Sequence, residues 1–183
     1  MLTRLRMGVF ILLSLAYPVL VYTLLGHFEP RWLAPLLFVL AMLRALGTRT
    51  PGAWWIALGA GILAAWSMLA NAALPLKLYP VLVNVLLLTL FGLSLRFGPP
   101  LIERLARLKE PDLPPRAVAY TRRVTQVWCG FFSINGSIAL ATALWASDEV
   151  WALYNGLIAY ALIGSLMAGE WLVRQRVKAA VHG

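Results

Sequence analysis

Apolar runs dominate the chain, and polar residues collect in short breaks between them. A helix crossing a bilayer core needs about 20 apolar residues, with a range of roughly 17–25. Six stretches meet or approach that length: Met7–Gly26, Trp32–Leu46, Ala53–Leu74, Leu78–Leu95, Val124–Ala146 and Val150–Val173. The second is short and carries Arg44 near its end, where a long side chain can snorkel to the interface. The first follows the basic start MLTRLR, as a signal peptide would. Its apolar stretch exceeds the usual h-region of about 7–15 residues and no A-x-A-like site follows, so it reads as an uncleaved first span. The pattern predicts an all-α polytopic membrane protein of about six transmembrane helices, a single integral membrane domain over residues 1–183.

Within the spans, small residues recur every fourth position: Ala57, Gly61 and Ala65; Ser133, Ser137 and Ala141; Ala161, Ser165 and Gly169. Such rows let helix backbones approach closely where lipid supplies no hydrophobic drive. No inverted repeat with paired broken helices, the mark of many secondary transporters, is visible.

The largest stretch outside the apolar runs is RFGPPLIERLARLKEPDLPPRAVAYTRR, residues 96–123. Its first half predicts a short amphipathic helix that starts at the prolines and stops before Pro111. Leu101, Leu105 and Leu108 fall on one face, and Glu103, Arg104, Arg107 and Lys109 occupy the rest, which suits a helix lying on the inner leaflet. Glu103 and Arg107 have the i,i+4 spacing of a helical ion pair. The proline-rich EPDLPPR that follows predicts a stiff extended linker. Beyond it, Arg116, Tyr120 and Arg123 are spaced for one face of a helix that continues into the fifth span, with Arg122 alongside.

Composition sharpens this picture. The chain is 61% hydrophobic and 13% charged, against about 45–50% and 25% in soluble domains. Its net charge of +9 lies beside the apolar runs rather than in a continuous basic domain, which argues for topology signals and against nucleic acid. With both termini in the cytoplasm, six spans place fourteen of the sixteen basic residues on the cytoplasmic side and leave Arg31 and Lys77 opposite. Five spans would put the N-terminal pair or the C-terminal trio outside, so the positive-inside rule favours six.

Candidate chemistry is sparse. Two histidines, His27 and His182, and one cysteine, Cys129, supply no metal-binding spacing and no disulfide. No nucleophile with a histidine base assembles on one side of the membrane, and no aspartate-rich motif would hold magnesium to a diphosphate. The sequence therefore names no catalytic residue, metal or cofactor, and its balance leans away from an enzyme. Arg116, Tyr120, Arg122 and Arg123, at the start of a long helix, fit two roles: topology anchors, or a site for a phosphate or carboxylate at the membrane surface. Asn71, Asn84, Asn135 and Asn155 lie in or at the edges of spans and call for hydrogen-bond partners, most simply on other helices. Glu170 has Arg174 one turn later, the spacing of a local salt bridge.

The run LIERLARLKEPDLP, followed by YTRRVTQVW and FFSINGSIALATA, resembles a family of small bacterial inner-membrane proteins. That family is encoded within aryl polyene and xanthomonadin-type pigment-lipid biosynthesis clusters. The likeness covers Leu101 to Ala143. The W-x-x-F-F-x-x-N-G pattern of Trp128, Phe131, Phe132, Asn135 and Gly136 is also similar to the intracellular septation protein A family. The first resemblance implies a bacterial inner membrane and a setting in which a polyene carboxylic acid is joined to a lipid and moved outward. It brings no catalytic residues, and it singles out Glu110, Asp112, Tyr120, Arg122, Arg123, Trp128 and Asn135 as positions to test. The expected role is a non-catalytic component holding a biosynthetic partner or an anionic lipid intermediate at the cytoplasmic leaflet. Membrane lipids and other pigment-lipid biosynthesis proteins are the implied partners. The alternatives are a membrane-embedded lipid-modifying transferase, with Glu110 or Asp112 as base, and a flippase or exporter of the pigment lipid.

Overall fold

The computed structural model describes residues 17–25, 27–48, 51–108 and 110–182. The protein is an all-α polytopic membrane protein, and no strand occurs among the described residues. The helices are α1 (17–25), α2 (Pro30–Thr48), α3 (Pro51–Ala70), α4 (Leu74–Lys77), α5 (Tyr79–Arg96), α6 (Leu101–Arg107), α7 (Pro115–Trp145), α8 (Asp148–Leu153) and α9 (Ala159–His182). A π-helical turn, Tyr154–Ile158, joins the last two. Five segments among the described residues are long and apolar enough to cross a membrane: Pro30–Gly47, Gly52–Ala70, Leu74–Arg96, Pro115–Trp145 and Asp148–Arg176. Of the expected first span, Met7–Gly26, only 17–25 is described, and it is helical. Arg4, Arg6, Arg49 and Lys109 lie outside the described residues.

Local sequence explains where the helices begin. Pro30, Pro51 and Pro115 open α2, α3 and α7, where a missing N–H costs nothing because the first turn has no carbonyl to meet it. At α8 the Ser147 side chain accepts from Val150 N at 3.4 Å, with Asp148 and Glu149 in the positive first turn. After α3, Asn71 takes a positive φ of 46°, a conformation asparagine tolerates at helix ends. Its side chain accepts from Arg31 N and donates to Glu29 Oε2, both at 3.3 Å. That settles Asn71 as a clasp on the turn before α2, where Glu29 and Arg31 form an ion pair.

Contacts divide the chain into two compact units. The first comprises Met1–Leu86 and Asn135–Tyr160. Its core brings together Tyr17 and Val21 of α1, Ala34, Leu37, Ala41 and Ala45 of α2, Ala53, Ala57, Ala60 and Ala64 of α3, and Trp151 of α8. The α2 and α3 positions recur every three or four residues, so each helix turns one alanine-rich face inward and the two pack closely. A Cβ added at Gly59 would stand 2.7 Å from the Leu82 methyls of α5, so a larger residue there requires the Leu82 side chain to shift.

The second unit comprises Leu87–Ile134 and Ala161–Gly183. Phe91, Trp128, Phe131 and Phe132 cluster in it, with ring centroids 5.2–6.3 Å apart. Between α5 and α6, Gly98 turns the chain at φ 87°. Arg104 secures that turn, donating to Pro99 O at 2.7 Å and Phe97 O at 3.2 Å. Buried Ser94 accepts from Leu101 N at 2.9 Å and donates to Phe91 O at 2.7 Å, so one hydroxyl ties α6 to α5. The expected helix between the fourth and fifth spans is present as α6. Its Glu103 is buried and paired with Arg107 at 2.7 Å, whereas Leu105 and Leu108 are exposed.

Candidate functional site

The head of α7 carries the four residues singled out for an anion. Pro114 and Pro115 end the extended linker and start the helix, with Ala117 N and Val118 N both donating to Pro114 O. From there the helix runs without interruption to Trp145, which puts Arg116, Tyr120 and Arg123 on one face at i, i+4 and i+7.

Two of the four side chains are engaged. Tyr120 is half-buried and its hydroxyl donates to Glu170 O at 3.2 Å and Oε1 at 3.3 Å. Arg174 lies 3.7 Å from the same carboxylate oxygen, so Tyr120, Glu170 and Arg174 form one small polar group. Arg122 leaves the shared face and donates to Leu95 O at 3.2 Å. Leu95 sits in the last turn of α5, whose carbonyls have no helical donor, and the guanidinium supplies one. Arg116 and Arg123 are exposed, and no ion pair or hydrogen bond engages either among the described residues.

Of the predicted bundle contacts, Glu170 belongs to the second unit, with Tyr120 and Arg174 as described, and the asparagines Asn84 and Asn135 belong to the first. Asn135 and Asn84 are 5% and 8% exposed. Asn135 Nδ2 donates to Asn84 Oδ1 at 3.0 Å, and Asn135 Oδ1 accepts from Tyr154 OH at 2.9 Å. Asn84 in turn donates to Pro80 O at 2.8 Å. The chain of bonds thus runs from the π turn through α7 to α5. Gly136 makes room for it: a Cβ there would lie 3.0 Å from Asn84 Cβ. Asn155, also in the π turn, donates to Trp151 O at 2.9 Å and Thr142 Oγ1 at 3.2 Å. Among the described residues, no buried side-chain nitrogen or oxygen lacks a partner.

A third group had no signal in the pattern. Lys77 is buried at the end of α4, its Nζ donating to Asp148 Oδ1 at 3.0 Å. Trp151, fully buried, donates Nε1–H to Lys77 O at 3.1 Å, and Tyr17 OH donates to Leu76 O at 3.0 Å. The carbonyls that a four-residue helix leaves open are therefore taken by two aromatic side chains. No periodicity links Lys77 to Asp148, 71 positions apart.

Glu110 and Asp112 are exposed in the linker, and Trp128 belongs to the aromatic cluster. Among the described residues, no three His, Cys, Asp or Glu side chains gather as a metal site would require. Comparisons of the chain with protein-family models, curated proteins and solved structures find no match.

Proposed function

We propose that the protein is a non-catalytic component of aryl-polyene-type pigment-lipid assembly in a bacterial inner membrane, where it holds an anionic lipid intermediate or a biosynthetic partner at the cytoplasmic leaflet. Arg116 and Arg123 carry the reading. They share one face of α7 at the end where basic residues concentrate, and both guanidinium groups are exposed and unengaged among the described residues. A topology anchor needs only charge, but two arginines one above the other also offer forked donors to a phosphate or carboxylate. Arg122 and Tyr120 position them: one ties α7 to the end of α5 and the other ties it to α9. The resemblance across Leu101–Ala143 supports the pathway.

The test compares lipid extracts of the native host carrying the wild-type gene, a deletion, and Arg116→Ala/Arg123→Ala, with membrane protein levels matched. Pigment lipid should fall several-fold in both mutants, with a precursor accumulating. Normal pigment in the inserted double variant would reduce the pair to topology anchors. Normal pigment in the deletion would remove the protein from the pathway.

A further inference from the structure

The stripe of α7 that begins with Arg116 and Arg123 continues along the same face through Val127, Gly130 and Ile134. Val127 and Ile134 are 53% and 66% exposed, and a Cβ at Gly130 would meet nothing within 4 Å. Cationic and apolar exposure therefore follow one another on a single line of the helix. The neighbouring exposed strip of this part of α7, roughly 80–100° around the helix, is different, carrying Gln126 and Ser133. From Arg123 to Ile134 the rise is about 16 Å at ~1.5 Å per residue, close to the half-thickness of a hydrocarbon core of ~30 Å.

We infer that this stripe seats one anionic phospholipid, its phosphate on Arg116 and Arg123 and an acyl chain along Val127, Gly130 and Ile134. Charge complementarity chooses the head: a phosphate accepts forked guanidinium hydrogen bonds, and no carboxylate of the described residues competes for either arginine. Glu170, the carboxylate that Tyr120 brings to this part of the helix, is already paired with Arg174. The missing side chain at Gly130 leaves a shallow gap between Val127 and Ile134 where a chain can lie against the backbone. The inference rests on the anion-holding part of the proposed function and names the chemical class of the ligand.

The test uses the full chain, purified and delipidated in a neutral detergent, with lipid binding read by native mass spectrometry. Phosphatidylglycerol and phosphatidylethanolamine of matched chains are titrated in turn. The wild type should retain the first phosphatidylglycerol roughly thirtyfold more strongly, the scale expected of two arginines facing an anionic head. Arg116→Ala/Arg123→Ala should bring the two lipids to parity, while Arg176→Ala should keep the preference. Gly130→Leu, which fills the gap and leaves both arginines, should weaken phosphatidylglycerol retention several-fold without altering thermal stability. Equal retention of both lipids by the wild type overturns the inference, and so does an inert Gly130→Leu. Displacement of the lipid by millimolar inorganic phosphate would mark a free-anion site and overturn it too. A lost lipid preference with pigment still dependent on the arginines removes this ligand and spares the pathway. A retained preference with normal pigment does the reverse.

Discussion

Asn135 is held from both ends of its amide: the NH2 donates to Asn84 and the oxygen accepts from Tyr154. Asn135→Ala strands an acceptor on α5 and a hydroxyl in the π turn, and should cost about 1–2 kcal/mol. Denaturation in mixed micelles reads the loss. A double-mutant cycle with Tyr154→Phe should give a coupling of roughly 0.6–1.7 kcal/mol; a coupling near zero would mean that the two bonds do not act together. The Lys77–Asp148 pair is asymmetric in a different way, with side chains 9% and 48% exposed. Asp148→Ala leaves an ammonium in the interior without its counter-charge, whereas Lys77→Met removes the buried charge and leaves Asp148 partly in solvent. The first should lower stability by about 1–3 kcal/mol and the second by less than ~1 kcal/mol. Thermal melting of the two variants in detergent checks the order, and the reverse order would show that water reaches Lys77.

At the scale of elements, one hydroxyl organises the α5–α6 connection. Ser94→Ala deletes both the bond to Leu101 N and the bond to Phe91 O, worth about 1 kcal/mol. Amide exchange in 97–108 should quicken more than exchange in α7; uniform exchange would mean that Arg104 alone holds the turn. Helix existence was readable from the long apolar runs, and the proline-rich linker placed the head of α7 within a residue or so, but the starts of α2, α3 and α8 lie two residues before the predicted spans at Pro30, Pro51 and Asp148. Which face packs was not readable. In α6 the charged Glu103 turns inward and Leu105 and Leu108 outward, because a chain surrounded by lipid gains little by hiding leucine. The rows of small residues show the same ambiguity: Ala57 is buried, but Ser133, Ser137, Ala161, Ser165 and Gly169 are exposed. Periodicity gives the stripe and leaves open which partner, protein or lipid, it meets. The arginines were visible as a cluster, yet the division between engaged Arg122 and the pair Arg116 and Arg123, which no described residue engages, depends on where the last turn of α5 places the Leu95 carbonyl.

For the whole molecule, the connections between helices carry a testable expectation about sidedness. Contacts tie Arg31 and Glu29 to Asn71, and Lys77 to Asp148, connections that alternate crossing places on one side. The positive-inside rule predicts that this side faces away from the cytoplasm. A fluorescent protein fused after His182 should therefore fluoresce, while alkaline phosphatase should be active when inserted at 71–73 and silent at the C-terminal end. Phosphatase activity at the C-terminal end would reverse the orientation and remove the cytoplasmic leaflet from the proposed function. Exposed Trp32 and Trp66 lie toward one end of the α2–α3 pair and Trp54 and Trp55 toward the other, as the two aromatic belts of a spanning pair require.

Lys77 also has a consequence for covalent chemistry. Its amine is shielded by its own burial and by the bond to Asp148, so a membrane-impermeant acylating reagent applied to that side should find little to react with while the fold is intact. Modification would then have to wait for a local opening around α4. The rate at which Lys77 acquires label, followed residue by residue, becomes a clock for the breathing of its unit.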